Sequence, residues 1–445
     1  RLADMDLSER APNFSYLTTI EPIWITWPAS WTVGLAVFML LVLGATGFRL
    51  GAEASSRATL AGFGLAATAL VLGTAVTFAV LWVADRIVGT TPDFPANPWP
   101  WRLLILAPLL LTLCLLIRWP GARLGFWPRF LGLWWLMGLI ALSLAIVAPL
   151  AANLLIIPAL VASIAGLLAA LAGRPERAAV QASVSLIATA ATALLLLGVA
   201  YAMEETQGYR LAPSFYIPAA LVLITLLPLS VTRRWIGASA ALVVVGWIWA
   251  AFTPLYSEWR PQHVSLYYVH DLDNDTARWA TIAVNPLPQR MIEAFGAEPE
   301  MRPVAPWVTN AFPSFDATAV AREPLEVNVE RDGSRVDVRL RSRDTTDFVY
   351  LVLPEAAGID ELTIAGHPVP VVARDHYVQA RLYAPGGEPV DFTFTVNTAE
   401  DFEGYVVDGS HTLPAIAAPY TAARGRLAVP QHQGDQRLAF QRIQV

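Results

Sequence analysis

Residues 30–253 form one apolar block, interrupted only by short arginine-bearing segments, with no His, no Lys and no charged residue at the middle of any hydrophobic run. A stretch this long and this uncharged has no polar face to turn toward water, which makes it a polytopic helical membrane domain. Ionisable residues within a bilayer are expensive and mark ion or substrate paths, so their absence places any chemistry outside the membrane. Hydrophobic residues make up 55% of the chain and charged residues 15%, against roughly 45–50% and 25% for a soluble globular protein. That average conceals two halves, because from about Ser257 the sequence turns into ordinary water-soluble text rich in Asp, Glu, Arg, Pro and Gly.

A hydrocarbon core about 30 Å thick needs about 20 apolar residues in helical form. Runs at 31–48, 58–83, 103–117, 130–150, 151–171, 178–203, 216–231 and 236–252 meet or approach that length, giving about eight spans. The stretch 130–171 is too long for one crossing, and Pro149 with Asn153 offers a turn that divides it. The runs 103–117 and 216–231 are short, so six or seven spans also fit. Trp99, Trp101, Trp119, Trp127, Trp134 and Trp135 gather near span ends, where amphipathic rings favour the interface. Pro108, Pro158, Pro218 and Pro228 fit either broken helices around a transport site or the ordinary prolines of membrane helices, and the small residues of 162–173 fit close helix packing.

Arginine asymmetry sets the expected orientation. With the N-terminus outside, inner loops hold Arg49, Arg57, Arg118, Arg123, Arg129, Arg174, Arg177, Arg233 and Arg234. Outer loops hold Arg86, Arg102 and Arg210 together with Asp85, Asp93, Glu204 and Glu205. This positive-inside bias and an even span count put both termini and the soluble half on the outer or lumenal face. The lack of lysine beside abundant arginine and alanine suggests a GC-rich bacterial coding sequence, for which that face is periplasmic or extracellular. Cys114 is the only cysteine, so no disulfide can form within the chain. The net charge of −6 sits mostly in the soluble half and argues against a nucleic-acid partner.

In the soluble half the hydrophobic period becomes alternating. Segments 263–270, 277–284, 325–330, 335–341, 348–353, 361–364, 377–383 and 390–396 read as short strands. Asp332-Gly333 is a hairpin turn, and Pro385-Gly386-Gly387 is expected to close another strand pair. Many strands with almost no helical period imply an all-β antiparallel sandwich, with the Pro-rich 303–324 stretch as a crossing segment between a first hairpin and the main sheets.

Candidate chemistry is sparse. The run from His270 through Asp271, Asp273 and Asn274 to Asp275 has the alternating carboxylates of a calcium loop but lacks its glycine and downstream Glu, and a polar turn between strands explains it as well. His376 and His411 have no metal-ligand spacing. Glu204-Glu205 fits a general base or, more simply, a solvated charge pair at a helix end. Asn13 and Asn274 begin glycosylation sequons. Gly-x-Ser-x-Gly, phosphate-binding glycine loops and CxxC pairs are missing from the sequence, so no catalytic, cofactor-binding or metal residue is assigned.

Several stretches carry a family resemblance. Asp6-Leu7-Ser8, the 13–20 stretch and Pro28-Ala29-Ser30-Trp31 resemble the junction that follows the catalytic domain in membrane-bound di-zinc exopeptidases of the aminopeptidase-Y type, the endoplasmic reticulum metallopeptidase and vacuolar membrane protease group. The stretch 264–282 is similar to the strand, acidic turn and Arg-Trp strand that open that family's terminal domain, and Asn310-Ala311-Phe312-Pro313, 336–342 and 348–354 continue the likeness. The resemblance implies 1–29 as a junction from an upstream domain, 30–253 as the membrane domain and 254–445 as an outer β-domain. It implies a hydrolase acting on peptides whose two zinc ions and general base belong to a catalytic domain before Arg1, since no His precedes His263. The chain is then the accessory part of a metallopeptidase, a non-enzymatic membrane scaffold or binding protein being the alternative and a transporter a further one.

Overall fold

Proline and glycine punctuation, rather than the apolar runs themselves, sets where the helices stop. The computed structural model describes residues 14–20, 23–28, 30–88, 92, 94–209, 212–283, 285–342, 346–383, 385 and 387–445. Asp6-Leu7-Ser8, Asn13, Asp93, Arg210 and Gly386 lie outside them. The chain divides into two compact units, through Leu255 and from Tyr256.

The first unit opens with an antiparallel hairpin, β1 (Phe14–Ile20) and β2 (Ile23–Pro28). Eight helices follow: α1 (Trp31–Leu50), α2 (Ser56–Val88), α3 (Pro98–Arg118), α4 (Phe126–Val147), α5 (Pro149–Leu171), α6 (Ala178–Gln207), α7 (Ala212–Ile224) and α8 (Arg233–Phe252). Among the described residues seven of them are long and apolar enough to cross a membrane, within the six to eight that the run lengths allow. The exception is α7, whose 13 residues rise only about 20 Å. The break between α4 and α5 falls at Ala148, with Pro149 in the first turn of α5. Asn153 lies inside α5 and is buried, so it takes no part in the turn.

The passage begun by α7 is finished by tight turns. The amides of Thr225, Leu226 and Leu227 donate to the carbonyls three residues back at 3.2, 3.0 and 2.9 Å. Pro228 has no N–H with which to continue an α-helix. Irregular backbone at membrane depth is tolerated only where the protein itself satisfies it. Arg129, in the first turn of α4, does so by donating from Nη1 to the carbonyls of Leu227 and Leu229 at 3.3 and 2.9 Å. Tyr209, just before α7, lies beside Pro98 at the start of α3, whereas Leu229 lies beside the start of α4. Tyr209 and Leu229 therefore lie at opposite ends of the bundle.

Helices α2 and α4 meet backbone to backbone. A Cβ on Gly62 would fall 2.0 Å from the Pro128 carbonyl oxygen, and one on Gly132 would fall 2.2 Å from the Phe63 nitrogen. Small residues permit the close approach on which helix association in lipid depends. In α5, Gly166 lies against the Phe130 ring and Thr46, in line with the small-residue reading of that stretch. The α2–α4 crossing puts the α1–α2 turn beside the start of α4, and a cavity joins the α3–α4 connection, the start of α6 and residues 228–231. All nine arginines assigned to one set of loops thus share one end of the bundle. Trp99 and Trp119 are exposed at helix ends, but Trp101, Trp127 and Trp134 are core residues rather than interfacial ones. Trp127 is held inward by donation from Nε1 to the Pro175 carbonyl at 3.1 Å.

The second unit contains β3 (Gln262–Asp271), β4 (Thr276–Ala283), α9 (Gln289–Phe295), β5 (Glu300–Pro303), β6 (Ala311–Ala317), β7 (Glu326–Asp332), β8 (Arg335–Arg341), β9 (Phe348–Pro354), β10 (Ile359–Ile364) and β11 (His367–Pro368). It continues with β12 (Ala373–Arg374), β13 (Tyr377–Tyr383), β14 (Val390–Val396), β15 (Glu403–Ser410), α10 (Ala418–Arg424), β16 (Ala428–Val429) and β17 (Gln436–Gln444). A five-stranded sheet runs β11-β10-β14-β8-β7, and a larger one runs β12-β13-β9-β15-β17-β3-β4-β6-β5, with β16 beside β3. Two pairings, β17 with β3 and β16 with β3, are parallel, and two helices belong to the unit, so it is a mixed β-rich fold rather than a strict all-β antiparallel sandwich.

Strand β9 is buried on both faces. Val349, Leu351 and Leu353 pack on the small sheet through Val338, Leu340, Phe392 and Phe394. Phe348, Tyr350 and Val352 face the other way, onto Trp307. Where the small sheet ends, α9 and α10 take over, and Phe295 stacks between Phe315 at 3.9 Å and Tyr420 at 4.2 Å. The Asp332-Gly333 hairpin between β7 and β8 is present. The turn at Pro385 closes no pair: β13 binds β9 in the large sheet and β14 binds β8 in the small one, so the chain crosses between sheets there. The β3–β4 hairpin is likewise part of the large sheet, because β17 returns from the end of the chain to lie parallel beside it.

Candidate functional site

Buried charge is the feature that chemistry would need; besides Arg129, it occurs as an ion pair at three described places. The first is the end of the bundle opposite the arginine loops. Asn97 caps α3 by accepting from the Trp99 amide at 3.1 Å, with Pro98 in the first turn, and this turns Arg102 toward the last turn of α6. There Arg102 Nε reaches both oxygens of Glu204, at 3.1 and 2.9 Å. The Tyr209 hydroxyl lies 2.9 Å from Glu204 Oε1, and the guanidinium sits 4.7 Å from the centre of the Trp99 ring. Glu204 is only 5% exposed, so the expected solvated Glu204-Glu205 pair is instead one half-buried residue and one buried ion pair. This shared N–H between charged partners binds two helix ends together.

The second place is the middle of the large sheet. Asp408 of β15 is fully buried; its carboxylate accepts from Arg322 and Ser342, and from Thr346 Oγ1 at 3.0 Å. Burial pushes the Asp408 carboxyl above the ordinary carboxylate range, with Arg322 and the two hydroxyls acting against that. The third is the closure of the unit: Arg424 of α10 donates to both oxygens of Asp435 at 2.6 and 2.8 Å, and the Leu266 amide of β3 donates to the same carboxylate at 2.9 Å. Sequence reasoning missed Asp408, Arg322 and Asp435. Their partners lie 86 and 11 residues away in the chain, with no local motif to mark them.

The residues singled out from sequence do not converge. The turn between β3 and β4 is a polar turn tied to β17: Asp271 Oδ1 accepts from the amides of Asp273 and Asn274 at 3.1 and 3.3 Å, and Asp273 accepts from the Arg442 amide at 2.7 Å. His270 is buried with Nε2 3.1 Å from Asp275, whose backbone is left-handed at φ 46°. His376 is exposed and turns through φ 69°. His411 contributes its backbone amide, which binds Asp347 at 2.6 Å and, with the Ser410 hydroxyl, holds that carboxylate below its ordinary range. Cys114 is buried in α3, 3.7 Å from Ser239 of α8. Among the described residues no group of three or more His, Cys, Asp and Glu is placed to hold a metal ion. No protein-family model, curated protein or solved structure matches the chain.

Proposed function

We infer that the chain is the membrane anchor and outer β-unit of a zinc-dependent exopeptidase, whose catalytic domain is either continuous with it or bound to it on the periplasmic or lumenal side. One observation carries this reading: the two buried carboxylates among the described residues, Glu204 and Asp408, are both occupied by arginine. The charges inside both units hold elements together, and peptide hydrolysis is then the work of a partner domain. The resemblance at 264–282 supplies the peptidase class, and the gathering of nine arginines at one end of the bundle supports the orientation. The transport reading rests on the interrupted passage at α7, but carbonyls freed there are bound by Arg129, which supports an anchoring role instead.

Affinity purification of the full-length gene product from its native membranes, followed by assay on free and N-terminally blocked peptides, tests the reading. Expected is an exopeptidase activity that co-purifies, is abolished by a zinc chelator and spares blocked peptides. Purification in stoichiometric yield without any such peptidase, together with a reading frame that encodes no peptidase domain, would sink it and leave the scaffold alternative.

A further inference from the structure

At the arginine-rich end of the bundle a cavity of about 480 Å³ opens between the α3–α4 connection, the first turn of α6 and residues 228–231. Arg129 lines it and is 5% exposed. Its Nε donates to the Gly125 carbonyl at 3.3 Å and its Nη1 to the Leu227 and Leu229 carbonyls, whereas Nη2 makes no hydrogen bond and the guanidinium has no carboxylate partner among the described residues. A buried cation matched only by carbonyl dipoles is incompletely compensated. Arg118, half-buried at the end of α3, lines the same cavity and also lacks an ion pair among the described residues. No Asp or Glu contributes to the wall.

Two helix starts add to this field. Gly125 precedes α4 and Arg177 precedes α6, and neither helix has a side-chain cap on its first amides. The first turns of both helices, with Phe126 of α4 and Ala178 and Gln181 of α6, line the space that holds the two arginines, as does the last turn of α3. Gln181 and Ser230 supply further polar atoms at the wall, and Ile117 and Leu124 an apolar flank. The volume lies within the roughly 300–1,000 Å³ of small-ligand pockets.

We propose that this cavity binds a phosphate-bearing anion, held by Arg118, Arg129 and the amide ends of α4 and α6. Such a phosphate is found either in the diester headgroup of an anionic lipid in the adjoining leaflet or as the free ion, and it supplies the counter-charge that Arg129 lacks.

The full chain, purified and exposed in parallel to phosphatidylglycerol, phosphatidylcholine and inorganic phosphate, is read by native mass spectrometry and by melting temperature. Expected is retention of one phosphatidylglycerol per chain in preference to phosphatidylcholine, weakened about tenfold, or about 1.4 kcal/mol, in Arg118→Glu and unchanged in Arg49→Gln, an exposed arginine of the same end outside the cavity. Stabilisation by inorganic phosphate that Arg118→Glu removes, without lipid retention, identifies the free ion as the source and supports the same site. If Arg118→Glu does not fold, Arg118→Gln carries the comparison, and Arg129→Lys, which keeps the charge but loses the planar guanidinium whose Nε also reaches Gly125, retains partial binding. Equal retention of both lipids with no phosphate effect, or equal losses in Arg49→Gln and the Arg118 variants, overturns the proposal.

Discussion

Single buried charges decide more in this protein than any surface pair. Asp408 has no exposure, and its partner Arg322 is nearly as buried, so neither tolerates loss of the other. Asp408→Asn is expected to destabilise the second unit by about 3–5 kcal/mol, because it removes the fully buried carboxylate that faces the Arg322 guanidinium and accepts from Ser342 and Thr346. The double variant Arg322→Met with Asp408→Leu is expected to recover most of that loss, since an apolar pair of similar bulk removes both desolvation penalties. Urea unfolding followed by tryptophan fluorescence checks both, and a double variant no more stable than Asp408→Asn would show that the pair matters through its hydroxyl partners Ser342 and Thr346 instead. Neither residue stands out in sequence: Asp408 sits in Val406-Val407-Asp408-Gly409, where an isolated acid reads as the polar end of a strand.

At the scale of elements, chain reversal and close approach follow from residues with missing atoms. Pro228 ends the regular part of its passage, and Gly62 and Gly132 let α2 and α4 touch. Gly132→Ala places a methyl against the Phe63 amide and the Gly62 backbone, neither of which can rotate away. The helices must part, and a loss of about 1–3 kcal/mol is expected, visible as a lower melting temperature in detergent, while Gly64→Ala, which meets nothing within 4 Å, leaves it unchanged. Eight of the strands were legible from alternation, β7, β8, β13 and β14 among them. Of those that were not, β15 and β17 are central in the large sheet, and they hide because Gly404, Asp408, Gly409, Arg437 and Gln441 interrupt their apolar pattern. Gly409 is required there, since a Cβ would lie 2.0 Å from the Phe348 ring.

For the whole molecule, the segregation of arginines to one bundle end makes sidedness measurable. Cys114 is buried and is the only cysteine, so an introduced thiol reports alone. Ser55→Cys and Ala122→Cys are expected to react with an impermeant maleimide only after the cells are opened, and Asn97→Cys and Gln207→Cys in intact cells; labelling of all four from one side would refute the orientation. What the sequence by itself determined is the membrane class, the run of apolar segments, the change to β structure near Ser257 and the separation of arginine from acid along the loops. These are properties of consecutive residues facing one solvent, and hydropathy and charge read them directly. Tertiary structure alone decided that α7 is cut short and the turns after it bound by Arg129, that Glu204 and Asp408 are buried against arginines, and that β17 joins β3 in parallel to make one mixed sheet. Each of those depends on groups far apart in the chain meeting where water is excluded, and an interaction of that kind leaves no periodic trace in the sequence around either partner.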